Sequence, residues 1–379
     1  MNKSIQISAD FDGGNIKVIN SSSPNNIELE INKDHKSDFF QWFYFRVTSK
    51  KNTSHTLKIL NAGSSAYVPG WEEYQAVCSY DRKNWFRVET SFNGKELEIN
   101  HTPKQDSFYL SYFTPFSHER HLDLIAQSQS SEICSLKSLG KSFDGKDIDL
   151  LRIEKDTNKL NVWMIARQHP GETMAEWFVE GFLKRLLDST DSLSTKVLAQ
   201  ANFYVIPNMN PDGAFRGHLR TNAKGINLNR EWENPSLETG PEVFYTRAEM
   251  DKVGVDLFLD IHGDENLPYN FVAGSEGNIS YNEQIANTER IFKESFLKAT
   301  SEFQTEFGYE LDKPGEANMT VATNAIAHRF NCMSYTLEMP FKDNNNLPSK
   351  EFGWSAQRSQ LLGRDMLSPI SAVLDHLEK

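Results

Sequence analysis

The chain has 379 residues, of which 38% are hydrophobic, 12% aromatic and 24% charged, a composition of folded globular proteins that excludes a disordered chain. The length favours two domains, each large enough to bury a core. Forty basic against 52 acidic residues leave a formal net charge of -12, a field that disfavours nucleic acid and anionic membranes as general partners.

The first residues, Met1-Asn2-Lys3-Ser4-Ile5-Gln6, are too polar for a signal peptide. No run approaches a membrane span, so a cytoplasmic location is expected. From residue 5 to 113 short apolar and aromatic runs, as at 39–47 and 56–60, alternate with turn chemistry at 21–26, at 81–84 and at Asn93-Gly94-Lys95, the last of hairpin type. This predicts an antiparallel β-sandwich domain over 1–114. The aromatic cluster from Phe39 to Phe45 reads as packing, since aromatic residues in strands fill cores more often than they bind ligands. Cys78, Cys134 and Cys332, odd in number and widely spaced, are expected as buried free thiols.

After Thr114-Pro115 strands alternate with helices, which predicts an α/β domain over 115–379. Strands are expected at 160–166, 203–206, 255–261 and 333–337. Met174, Trp177, Phe178, Phe182 and Leu186 recur at helical spacing, and further helices are expected over 281–303 and 355–377. Polar residues follow each strand: His169 and Glu172, then 208–212, then His262, then Glu338. Ligands of open α/β sheets bind at the carboxyl ends of strands, so these segments can share one crevice.

His169-Pro170-Gly171-Glu172 sets an imidazole and a carboxylate three residues apart where a strand gives way to a helix. With His262 as a distant third ligand, the fourth tetrahedral position stays open for water, which is the donor set of a catalytic zinc site. Taken alone, the His-x-x-Glu pair equally suits helix capping. Between Gly213 and Arg230 lie Arg216, Arg220, Lys224 and Arg230 with no acidic residue, a basic island in an acidic chain. His118 and His121 read as hydrogen-bonded structural residues near the domain boundary. Asp260 reads as a group that orients a ligand, and Glu265 as a weaker rival for the catalytic base.

These residues resemble the zinc metallocarboxypeptidase family, and within it the cytosolic carboxypeptidase branch, whose members carry a β-domain before the catalytic domain. The likeness runs through Gln41-Trp42-Phe43-Tyr44-Phe45-Arg46-Val47, His169-Pro170-Gly171-Glu172, Asn210-Pro211-Asp212-Gly213, Asn227-Leu228-Asn229-Arg230, Asp260-Ile261-His262-Gly263 and Tyr335-Thr336-Leu337-Glu338. It implies an N-terminal antiparallel β-sandwich followed by a mixed-sheet α/β zinc carboxypeptidase domain. It also implies one zinc ion per chain held by His169, Glu172 and His262, with Glu338 as general base activating the zinc-bound water. Arg220 matches the arginine that polarises the scissile carbonyl, and Asn229 and Arg230 match the pair that grips the terminal carboxylate.

The substrate implied is the C-terminal tail of a peptide or protein, ending in an acidic residue if the branch likeness extends that far, with Arg329 or Lys313 as partners. The family's mobile tyrosine has no match between Glu310 and Ala327, and Tyr309 is the nearest substitute, so that role stays unassigned. Two other readings stay open: a zinc amidohydrolase of N-acyl amino acids or cell-wall peptides, and a peptide-binding protein that has lost catalysis. The oligomeric state is not legible in the sequence.

Overall fold

The computed structural model describes residues 5–155 and 159–377. Residues up to Ser111 form two five-stranded sheets. One runs, in spatial order, Gln6–Ser8, Tyr44–Thr48, Ser107–Ser111, Val77–Ser79 and Trp85–Arg87, and the other runs Lys17–Ser23, Asn26–Glu30, His55–Ile59, Leu97–His101 and Thr90–Phe92. Alternation along the strands turns Val47, Phe108, Leu57 and Ile99 into one core with no exposed surface on any of them. Pairing is antiparallel except between Asn26–Glu30 and His55–Ile59, which run parallel.

The aromatic run expected as a strand over 39–47 enters the ladder only at Tyr44. Before it, Gln41 and Trp42 spend their side chains on other backbone: Gln41 Oε1 accepts from Tyr67 N–H at 2.8 Å, and Trp42 Nε1 donates to the Gly13 carbonyl at 2.8 Å. Phe40, Trp42 and Phe43 are buried all the same. Asn93-Gly94-Lys95 turns between Thr90–Phe92 and Leu97–His101 as expected.

The second half is built on a seven-stranded mixed sheet in the order Cys134–Lys141, Asp147–Ile153, Ala201–Ile206, Leu160–Ala166, Leu257–Ile261, Met333–Glu338 and Phe271–Ala273. The four inner strands from Ala201–Ile206 to Met333–Glu338 are mutually parallel, so their carboxyl ends share one edge. Helices Met174–Leu186, Glu283–Ala299, Ala356–Asp365 and Leu367–Leu374 cover one face; Pro241–Val253 and Ala322–Phe330 cover the other. Strands covered on both faces need apolar residues throughout, and Leu257–Ile261 is buried at every position. The helix expected over 355–377 divides at Met366; Pro369 has no N–H with which to carry the first helix's ladder onward.

All three cysteines are buried and free. Among the described residues, no helix is long and apolar enough to cross a membrane. The apolar core of the β-sheets runs without interruption into that of the α/β half, where Tyr112 stacks on Phe341 with ring centroids 4.6 Å apart.

Candidate active site

Strand Leu160–Ala166 ends at Arg167, which turns the chain with φ 58°, a costly backbone for a residue with a Cβ. Its buried side chain secures that turn by donating to the Pro170 carbonyl at 2.9 Å, the Phe116 carbonyl at 3.0 Å and Glu176 Oε2 at 2.7 Å. The next residues, 168–172, are all buried. The motif glycines are there for space: a Cβ on Gly171 would stand 3.0 Å from the Leu219 carbonyl oxygen, and one on Gly213 would stand 2.5 Å from both Pro170 Cγ and the Thr221 carbonyl oxygen. Asn210 Nδ2 donates to the Gln168 carbonyl at 2.9 Å, and the Asp212 carboxylate accepts from Ser142 Oγ and Asp144 N–H at 2.6 and 2.9 Å. The 210–213 motif thus buttresses the ligand loop.

His169, Glu172 and His262 meet at the floor, all buried, each offering a ligand atom within 4.8 Å of the others. Nδ1 of His169 lies 2.6 Å from Glu172 Oε1, Nδ1 of His262 lies 2.7 Å from Oε2, and the two Nδ1 atoms are 3.1 Å apart. Each outer nitrogen faces an acceptor: His169 Nε2 is 3.1 Å from Asn227 Oδ1, and His262 Nε2 is 2.9 Å from Asp260 Oδ2. With a metal ion bound, those partners would hold the ring proton on Nε2 and leave both Nδ1 lone pairs to face the ion beside the carboxylate. Two imidazoles and one carboxylate so arranged fit a zinc ion.

Burial, with Arg220 nearby, holds His169 down at about 3, so its ring is neutral as a ligand must be. Burial would raise Glu172, but the charges and hydrogen bonds of His169 and His262 outweigh it and hold the carboxyl below its ordinary value. Asp260, read from the sequence as an orienting group, bonds His262 and in turn receives Gln168 Nε2 at 2.6 Å.

Above the floor opens a cavity of about 660 Å³, lined by Arg220, Asn229, Arg230, Glu265 and Glu338 together with His169, Glu172 and His262. Glu338 is the last residue of its strand, 7% exposed. Its Oε1 lies 3.1 Å from the Tyr309 hydroxyl, which also sits 2.7 Å from Asp264 Oδ2, while Oε2 is buried without a hydrogen-bond partner. Burial pushes this carboxyl well above its ordinary value. Arg220 Nη1 stands 3.5 Å from Glu172 Oε1. Asn229 Oδ1 is occupied by the Ala322 N–H at 2.8 Å, and Arg230 reaches into the cavity from an exposed position.

Half of the basic island lies elsewhere: Arg216 forks onto Asp144 at 2.7 Å, and Lys224 lies over the Phe143 ring. Arg329 likewise pairs with Asp251 on the surface, and Lys313 is not among the cavity-lining residues. His121 is held between Glu176 Oε1 at 2.6 Å and Asp149 Oδ2 at 3.2 Å, a structural position. Tyr67, from a turn of the N-terminal half, lines the cavity as well. Nothing in its surroundings, Ala66-Tyr67-Val68-Pro69-Gly70, signals this beyond a turn.

Residues 7–113 match the family model described as cytosolic carboxypeptidase N-terminal domain, and residues 119–362 match that of zinc carboxypeptidase. A Zymomonas mobilis protein described as uncharacterized is 48% identical over 98% of this chain and 97% of its own length. Human cytosolic carboxypeptidase 2 is 26% identical over 87% of this chain, and the match spans 40% of the human protein. Among solved structures, a metallo-carboxypeptidase from Burkholderia cenocepacia has a TM-score of 0.96 at 45% identity, covering 98% of this chain and 99% of its own. One from Pseudomonas aeruginosa, in complex with (2-guanidinoethylmercapto)succinic acid, has the same TM-score and identity and covers 98% of this chain and 100% of its own. On these matches the chain belongs to the zinc carboxypeptidase family, carries the N-terminal domain of the cytosolic carboxypeptidases, and is a metallocarboxypeptidase.

Proposed function

We propose that the protein removes single amino acids from the C-terminus of peptides or protein tails, with one zinc ion held by His169, Glu172 and His262. The observation that carries this reading is the convergence of two inward Nδ1 atoms and the Glu172 carboxylate beneath a cavity that also holds Arg220, Arg230 and Glu338. Zinc in such a site supplies Lewis acidity, polarising a carbonyl and lowering the pKa of water. Glu338 takes the proton from the attacking water and returns it to the leaving amine. Arg220 meets the negative charge that develops on the carbonyl oxygen. Arg230 and Asn229 hold the substrate's terminal carboxylate, the arginine through a two-pronged guanidinium that a lysine lacks. A cytoplasmic site of action and a division into domains near residue 115 belong to the same reading.

Preference for a C-terminal glutamate is supported by the likeness to cytosolic carboxypeptidases and by Lys293, the remaining basic residue lining the cavity among the described residues. A second reading, a C-terminal arginine or lysine, has its own support. Lys293 is already paired with Glu289 and lies 3.8 Å from Glu276 Oε1, and the outer wall adds Glu306, Glu310 and Asp312. The ligand named for the Pseudomonas neighbour also carries a guanidino group beside its succinic acid.

Turnover of one peptide series ending in glutamate, arginine or leucine, each with a free and an amidated C-terminus, tests these claims. Free-acid peptides should be trimmed and amidated ones left almost intact, because an amide offers Arg230 neither the negative charge nor the second acceptor oxygen of a carboxylate. Cleavage of amidated peptides at comparable rates would remove the exopeptidase reading, while the ranking of the three residues decides between the two specificities.

A further inference from the structure

Arg220 lies in neither a helix nor a strand. It sits in the loop that follows helix Pro211–Arg216, so the N–H groups around it have no ladder to bond to. They are taken instead by one side chain from the N-terminal half. Asp34, 2% exposed, accepts from Leu219 N–H at 2.7 Å through Oδ1, and through Oδ2 from Arg220 N–H at 2.8 Å, Thr221 N–H at 2.9 Å and Thr221 Oγ1 at 3.0 Å. Three of the four donors thus converge on Oδ2 and one takes Oδ1, so a single buried carboxylate ties down three consecutive residues. On either side, Asn15 Nδ2 donates to the Gly217 carbonyl at 3.0 Å and His35 N–H donates to His218 Nε2 at 3.1 Å.

The guanidinium itself has few polar anchors. Its Nε is buried with no hydrogen-bond partner, and its nearest carboxylate oxygen is 3.5 Å away. What covers it is an aromatic ring: Arg220 Cζ lies 5.5 Å from the centroid of Tyr67, within the range of a cation–π contact. Tyr67 is fixed in turn. Gln41, wholly buried, accepts from its N–H at 2.8 Å and donates to its carbonyl at 3.1 Å, and Lys342 from the other half donates to the Pro69 carbonyl at 3.3 Å. The same turn packs at Gly70 against the backbone of Glu265.

We propose that the N-terminal domain is part of the catalytic apparatus: Asp34 fixes the loop that carries Arg220, Tyr67 fixes its guanidinium, and both are positioning residues. The inference rests on the reading of Arg220 as the group that meets the carbonyl oxygen. A charged donor displaced by about 1 Å can lose roughly 10²-fold in rate, so a residue held by contacts from another domain depends on them.

The test is a double-mutant cycle in the full-length zinc enzyme, measuring kcat and KM on a free-acid peptide, with metal content and melting temperature for each variant. Arg220→Ala should lower kcat by about 10²-fold or more, the scale of losing one oxyanion donor. Tyr67→Leu should lower kcat by about tenfold with little change in KM or metal content, Tyr67→Phe should keep most of the activity, and Asp34→Asn should behave like Tyr67→Leu. In the Arg220→Ala background, Tyr67→Leu and Asp34→Asn should cost no further activity. If Arg220→Ala is crippled while Tyr67→Leu is fully active, or if the two losses multiply, the inference fails. If Arg220→Ala itself keeps full turnover, the reading beneath it fails, a result the other outcomes do not resemble. Should Asp34→Asn not fold, the Tyr67 arm decides alone.

Discussion

The two carboxylate oxygens of Glu338 stand in different surroundings. Oε1 lies beside the Tyr309 hydroxyl, and Oε2 is buried without a partner. An unpartnered buried oxygen is costly, and it is tolerable where a reacting molecule supplies the missing contact. Glu338→Gln retains the shape and one acceptor but cannot take a proton. The variant should therefore keep about one zinc per chain, as a mononuclear site requires, while kcat falls roughly 10²-fold or more, the scale of general acid–base catalysis. Metal analysis beside steady-state rates checks both halves. Unchanged turnover would move the base to Glu265, which is buried on the same cavity wall.

Between strand Leu160–Ala166 and helix Met174–Leu186, the turn that carries His169 and Glu172 hangs on Arg167 and Glu176, and Glu176 also holds His121 from helix His118–Gln129. Burial pulls the His121 imidazole down, but the hydrogen bonds and charges of Asp149 and Glu176 outweigh it and hold it up at about 9. A group raised above its unfolded value of about 6.5 stabilises the fold fully below that pH and loses the contribution as pH climbs through 9. Stability should accordingly decline between pH 6.5 and 9, by up to about 3 kcal/mol, and His121→Gln should flatten that stretch of a denaturation series. A wild-type curve with no decline there would exclude a charged His121.

The convergence of His169, Glu172 and His262 was legible in the sequence because each stands within a few residues of an apolar strand whose end places it. The short patterns, from His169-Pro170-Gly171-Glu172 to Asn227-Leu228-Asn229-Arg230, are each contiguous in the chain and so can be read there, although their contacts reach further, as from Asn210 to Gln168 and from His169 to Asn227. Asp34 and Tyr67 left no such trace. The bonds of Asp34 reach residues 185 to 187 positions away, and no periodicity or motif spans that distance. The edge strands Cys134–Lys141 and Phe271–Ala273 escaped for another reason: at the sheet's margins the first is largely polar and exposed, and the second is three residues long.

At the scale of the whole molecule the two halves have no gap between them. One apolar core runs through both, and the seam is also polar. Arg87, from the N-terminal sheet, donates to the carbonyls of Phe341, Lys342, Phe352 and Trp354 in the α/β half at 2.8 to 3.1 Å, and to Gln75 in its own half at 2.5 Å. Thr173 and Trp177, on the helix behind the ligand loop, both donate to the Thr114 carbonyl at the junction. Domains joined by a wet, polar interface unfold separately, whereas a shared core and satisfied backbone across the seam couple them. The chain should then melt in one transition, with secondary structure, tryptophan fluorescence and activity lost together. Arg87→Ala strips partners from buried carbonyls, each worth about 1–3 kcal/mol if left unsatisfied, and should lower the melting temperature of that single transition instead of splitting it. Two transitions in the wild type, or an Arg87→Ala protein in which one half melts early while the other holds, would show that the halves are thermodynamically independent and that the N-terminal domain is only attached to the site it helps to line.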